Sequence, residues 1–208
     1  MASSNQIKIL GLLGALAPVI YFVATVLGGY LWHGYSWYSE TVSTLTSAAA
    51  PNQAIINPLY AIYNVFVIAL AVGLYLGIKP RKPTVASLLF AVAGVGGLVL
   101  FWFPQDYPIT PQMTFTGTMH VAIAAIIAFS SIASIAAYGI TLRKNPDWTR
   151  IGKLCLIWLP IALALGGFGA ASINAPFAGL AERLSIGSIL LWIEVMSLAL
   201  VHRHKSKA

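Results

Sequence analysis

Ser43, Asp106 and His120 are the residues of this chain whose types fit acid–base or nucleophilic chemistry. An imidazole set beside a carboxylate can act as a general base or bind a metal ion, and a serine hydroxyl within its reach becomes a nucleophile. Ser39 and Ser185 are further candidates for that hydroxyl. None of the serines sits in a Gly-x-Ser-x-Gly elbow, and Ser43 fits equally well as a helix cap. No His-x-x-x-His pair and no cysteine pair occurs, and His33 lies far from His120 in the chain. The spacing therefore predicts no metal site and no cofactor.

A second set is built on charge. Arg183 is flanked by Glu182, and Glu40 and Asp106 fall in earlier polar segments. A guanidinium binds a carboxylate through two parallel hydrogen bonds. Adjacent helical side chains diverge, so Asp106 or Glu40 is the expected partner of Arg183 rather than Glu182. Such a cluster has two readings. It ties three loops together and fixes helix order, or it forms a pocket of Ser43, Asp106, His120, Glu182 and Arg183 in which Arg183 engages an anionic group. Glu194 is a separate case. It shares a helical stripe with Arg183, Gly187 and Leu190, about 16 Å further along at 1.5 Å per residue. It is expected to bond Ser131, Ser134 or Asn64 as a packing contact, or to relay protons.

The elements that must position these groups are set by composition. Hydrophobic residues make up 59% of the chain, charged residues only 8%, and the mean hydropathy is +0.83. A soluble domain carries roughly a quarter charged residues, so most of this surface faces something other than water. Six apolar runs reach the length of about 20 residues that a membrane-spanning helix needs. They are placed at about 9–32, 58–79, 84–103, 116–141, 152–172 and 183–201, which predicts an all-α, six-helix transmembrane bundle forming one domain over residues 1–208. The first run has no small-residue cleavage site close behind it and reads as an uncleaved span. No internal repeat is visible beyond hydropathy.

Orientation follows from the cations. Lys8, Lys79, Arg81, Lys82, Arg143, Lys144, Arg150, Lys153, Arg203, Lys205 and Lys207 fall on one side, eleven of the twelve Lys and Arg. Cytoplasmic loops carry that excess, so both termini are expected in the cytoplasm and the chain in the cell membrane. The net charge of +7 is spread in short clusters between apolar runs, which argues against nucleic acid and for membrane lipids as partners. Cys155 reads as a small core residue. Trp102, with Trp32, Tyr35, Trp37, Tyr38, Phe103 and Tyr107, forms an interfacial aromatic set that anchors the bundle or lines a lipid-tail pocket.

Taken in order, Thr41-Val42-Ser43-Thr44-Leu45, Phe103-Pro104-Gln105-Asp106, His120 and Gly179-Leu180-Ala181-Glu182-Arg183 leading to Trp192 resemble the domain-of-unknown-function-998 family over about residues 10–200. That resemblance implies a six-helix integral membrane protein of prokaryotes and supplies no reaction. Three roles follow as expectations. The first is binding or handling of a lipid or small amphiphile, with Arg183, Glu182, Glu40 and Trp102 as ligand-binding residues. The second is an intramembrane lipid hydrolase or transferase using His120, Asp106 and Ser43. The third is a small proton-coupled transporter using Glu194.

Overall fold

A computed structural model describes residues 2–108 and 112–205. Six α-helices account for most of them: α1 (Ser4–Leu31), α2 (Gln53–Gly77), α3 (Thr84–Val99), α4 (Phe115–Leu142), α5 (Thr149–Ala171) and α6 (Ala178–Lys205). Short 3-10 turns occupy Ser43–Thr46 and Leu100–Trp102. All six helical segments are long and apolar enough to cross a membrane. The protein is thus an all-α, multi-pass membrane protein.

The helix boundaries differ from the hydropathy reading where polar residues extend a helix. α1 starts at Ser4, five residues early, because Ser3 and Gln6 form a reciprocal capping box. α2 starts at Gln53, so Pro58 lies inside it rather than at its first turn. The largest consequence is in α6. It begins at Ala178, which places Glu182 and Arg183 in its second turn instead of at its entrance.

Each helix packs against its neighbours in the chain, and α6 packs against α1, so the bundle closes on itself as a ring. Ser4 Oγ donates to the His204 carbonyl at 3.1 Å, which joins the first and last helices at one end. The connections 78–83 and 143–148 lie at that same end, which gathers the cations from Lys8 to Arg203; Lys207 lies outside the described residues. Two of these cations rest on aromatic rings, Lys82 on Tyr75 and Arg203 on Trp148.

The interior of the cation-rich half is apolar and built around Trp192. Phe90 meets its ring edge-on at 5.2 Å, Tyr138 packs at 5.8 Å, and Leu74, Ile135, Ile193 and Met196 are fully buried around them. Cys155 is buried there and accepts from the Trp192 indole. At the cation-poor end a second, smaller cluster forms from Ala24, Tyr35, Val42, Leu45, Ile56 and Tyr60. Three of these come from the segment between α1 and α2. That segment is therefore a folded cap, pressed onto the helix ends by its own apolar side chains.

Candidate functional site

The cap is held down by the two charged residues of α6. Glu182 Oε1 accepts from the Ser43 hydroxyl at 2.9 Å, and Oε2 accepts from the Val42 N–H. Those donors open the 3-10 turn Ser43–Thr46, so Glu182 caps it as an N-terminal carboxylate would. Arg183 reaches further. Its Nη1 donates to the carbonyls of Trp37 (3.0 Å), Glu40 (2.8 Å) and Gly179 (2.9 Å), and its Nη2 donates to the Tyr35 hydroxyl. Tyr35 in turn donates to the Thr41 carbonyl at 2.7 Å. The guanidinium also lies over the Tyr35 and Trp37 rings, at 5.6 and 5.2 Å, a cation–π arrangement.

None of these four hydrogen bonds ends on a carboxylate, which corrects the expected pairing of Arg183 with Asp106 or Glu40. The physical reason lies in the cap backbone. Folding it against α6 would bury carbonyls away from water, and a buried carbonyl needs a donor. A guanidinium offers five donors in a fixed fork and meets that need. The first turn of α6 adds to the contact, with the Gly179 and Leu180 N–H groups donating to Ser39 and Tyr38 carbonyls. Gly179 is required for this approach, because a Cβ there would run into the Glu40 carbonyl oxygen.

Glu40 turns its carboxylate the other way. It accepts from the Ser36 N–H at 2.8 Å and from the Tyr107 hydroxyl. Tyr107 stands edge-on to Trp32 at 5.4 Å. The hydrogen bond to Glu40 raises the Tyr107 phenol above its usual range, since ionisation would set two anions side by side. Burial pushes the Tyr35 phenol up to about 12, against the opposing pull of Arg183. Both are phenols at neutral pH. Beside this pair an open cleft of about 270 Å³ is lined by Ser39, Glu40, Thr41, Thr44, Tyr107, Ile173, Asn174, Ala175 and Ala178.

Asp106 and His120 form a separate corner. Asp106 accepts from the Thr114 N–H at 2.8 Å and the Thr114 hydroxyl at 2.6 Å, just ahead of α4. These bonds hold its carboxyl below the usual range. Thr114 itself caps α4 by accepting from the Gly117 N–H. Gly117 makes room for Asp106, whose carboxylate fills the space a Cβ would take. His120 is buried, and its Nδ1–H donates to the Phe103 carbonyl at 2.8 Å. Gln105 bridges from this corner to Thr41 and Thr44 at 3.3–3.4 Å.

The sequence-selected residues are thus divided. Ser43, Glu182 and Arg183 are brought together in the latch, Asp106 and His120 in the corner, and Glu40 lies between them on the cleft. Ser43 donates to Glu182 and shares no hydrogen bond with His120. Ser39 is on the cleft, Ser185 packs beside Gly169, His33 is exposed, and Trp102 is 71% exposed on the outside of the bundle. Among the described residues no three His, Cys, Asp or Glu side chains gather as metal ligands. Tyr35, Tyr107, Gln105 and Asn174 are the site residues that sequence reasoning missed as polar groups. The two tyrosines were legible only as interfacial aromatics, and nothing in the local sequence separates a belt tyrosine from one that hydrogen-bonds.

A ring of six membrane-length helices with a folded polar cap defines a class of multi-pass helical membrane protein. Within it, the family described as Protein of unknown function (DUF998) matches residues 15–199, and the chain belongs to that family. Neither a curated protein nor a solved structure matches the chain.

Proposed function

We propose that this protein sits in the cell membrane with both termini in the cytoplasm and binds a small polar or zwitterionic amphiphile, such as a lipid headgroup, in the cleft of its outward-facing cap. The bias of Lys and Arg to one end of the bundle supports the orientation. The observation that carries the binding assignment is the hydrogen-bonded Glu40–Tyr107 pair in the lining of the cleft. Both Nη groups of Arg183 are engaged by the cap's own carbonyls, by Gly179 and by Tyr35, so the guanidinium holds the backbone beside the cleft and leaves recognition to Glu40. A carboxylate flanked by Ser39, Thr41, Thr44 and Asn174 suits an ammonium group better than an uncharged or anionic one.

Native mass spectrometry of the purified protein with phosphatidylethanolamine and phosphatidylglycerol tests this. The reading expects retention of the amine lipid over the glycerol lipid, with the preference lost in Glu40→Gln. Equal retention of the two lipids, unchanged by Glu40→Gln, would remove Glu40 as the recognition group.

A further inference from the structure

The cleft beside the latch holds hydrogen-bond acceptors that the chain itself does not use. Ser39 and Asn174 are exposed in its lining. Among the described residues, neither the Ser39 hydroxyl nor the Asn174 side-chain amide bonds another part of the chain. Glu40 has capacity left as well. Each of its carboxylate oxygens takes one hydrogen bond, from the Ser36 N–H and from the Tyr107 hydroxyl, and an ionised carboxylate offers about four lone-pair sites. The threonines of the lining are more fully engaged. Thr41 and Thr44 bond each other at 2.8 Å, and Gln105 reaches both.

Aromatic faces are scarce in the same lining. Tyr107 is the one aromatic among the described residues that form it, and its hydroxyl is turned to Glu40. Trp32 packs edge-on against Tyr107 and Tyr35 is buried, and neither lines the cleft. The balance of acceptors and rings decides which ammonium fits. A primary ammonium carries three N–H donors and no acceptor, as a lysine side chain does. A trimethylammonium has no donor and is held instead by the faces of an aromatic cage.

We propose that the cleft selects a primary ammonium headgroup, of the ethanolamine type, over a quaternary one, with Ser39 and Asn174 as the specificity-determining residues. This selection rests on the cleft being an ammonium site, and it says which ammonium enters. Glu40 supplies the attraction of opposite charge, which both kinds of headgroup share. The Ser39 hydroxyl oxygen and the Asn174 amide oxygen accept N–H bonds that only the primary group can make. Facing a trimethylammonium those acceptors gain nothing from the ligand, and one tyrosine ring does not make a cage. A site equipped to hydrogen-bond an N–H discriminates against the analogue that lacks it. Because the cleft is open and its acceptors can return to water, the discrimination is severalfold rather than absolute.

Native mass spectrometry of the full chain with phosphatidylethanolamine, phosphatidylcholine and phosphatidylglycerol of matched acyl chains tests the proposal. Phosphatidylethanolamine should be retained severalfold over phosphatidylcholine, with its N-methyl and N,N-dimethyl derivatives between them as N–H donors are removed one at a time. Asn174→Ala and Ser39→Ala should each narrow the ethanolamine-to-choline ratio. Asn174→Asp, which keeps an acceptor at that position, should preserve it. Both residues are exposed, so these substitutions leave the buried core intact. Equal retention of the ethanolamine and choline lipids, both above phosphatidylglycerol, would overturn the selection and leave the ammonium site standing. A ratio unmoved by either alanine variant would likewise overturn the roles of Ser39 and Asn174. Equal retention of the ethanolamine lipid and phosphatidylglycerol would instead remove the ammonium site itself.

Discussion

The latch around Arg183 and the corner around His120 lie at the same end of the bundle and use similar residue types, yet they do different work. The bonds of the latch join residues about 140 positions apart, such as Val42 and Glu182. Those of Asp106 and His120 in the corner join residues 8 and 17 positions apart, Asp106 with Thr114 and Phe103 with His120, and the corner's longer link to the cap runs through Gln105 at 3.3–3.4 Å. The latch therefore fixes tertiary structure, docking the α1–α2 cap onto α6. The corner shapes one connection and the start of one helix. A charged residue in a membrane protein takes its role from the span of chain it closes, and that is not visible in its type.

This contrast is sharpest under mutation. Arg183→Ala removes the donor of the Trp37 carbonyl and the shorter of the two bonds to the Glu40 carbonyl, and at roughly 1–3 kcal/mol for a buried unsatisfied group the expected loss is about 2–4 kcal/mol, read as a fall in thermal midpoint in detergent. Arg183→Lys should recover only part of it, since an ammonium lacks the planar fork. Gly179→Ala comes next, at about 1–3 kcal/mol, the usual cost of overpacking, because the new Cβ meets the Glu40 carbonyl.

The corner should respond less, and through pH. The folded state holds the Asp106 carboxyl below its ordinary value. Its contribution is present at pH above the unfolded value and is lost as pH falls through the lowered one. Asp106→Asn should flatten the acid limb of a stability–pH curve and lower the midpoint at neutral pH by less than Arg183→Ala does. An equal or larger drop would merge the two regions into one unit. The smallest effect is expected at Tyr107. Its phenol is raised by the bond to Glu40, so that contribution is present below the unfolded phenol value and is lost as pH rises through the folded one. Tyr107→Phe should remove this alkaline limb and lower the neutral midpoint by less than Asp106→Asn does.

Much of the architecture was legible in the chain. Six apolar runs give six helices, and the cation clusters fall at the end of the bundle where α1 and α6 meet. Trp192 and Cys155 are core residues, as runs of that kind imply. The helix starts were less so. Hydropathy placed the start of α6 at Arg183, whereas the helix begins at Ala178 because cap carbonyls take up the N–H groups of Gly179 and Leu180. The site was legible as a set of residues and not as a set of bonds. Arg183, Glu182, Glu40 and Ser43 do meet around the cap, but Arg183 chooses carbonyls. A backbone acceptor has no sequence signature, so a search for opposite charges could not find it. Glu194 is the complementary case, a carboxyl for which sequence offered Ser131, Ser134 and Asn64 as partners, whereas each of these donates to a carbonyl of its own helix.

The most direct test of the latch is hydrogen–deuterium exchange over residues 35–46, compared between the wild type and Arg183→Ala. Residues 189–200, which surround Trp192, provide the internal reference. If Arg183 holds the cap, the 35–46 amides lose their protection in the variant while the reference keeps its own. Unchanged protection over 35–46 would show that the cap stands without Arg183, and the latch would then have no part in shaping the cleft.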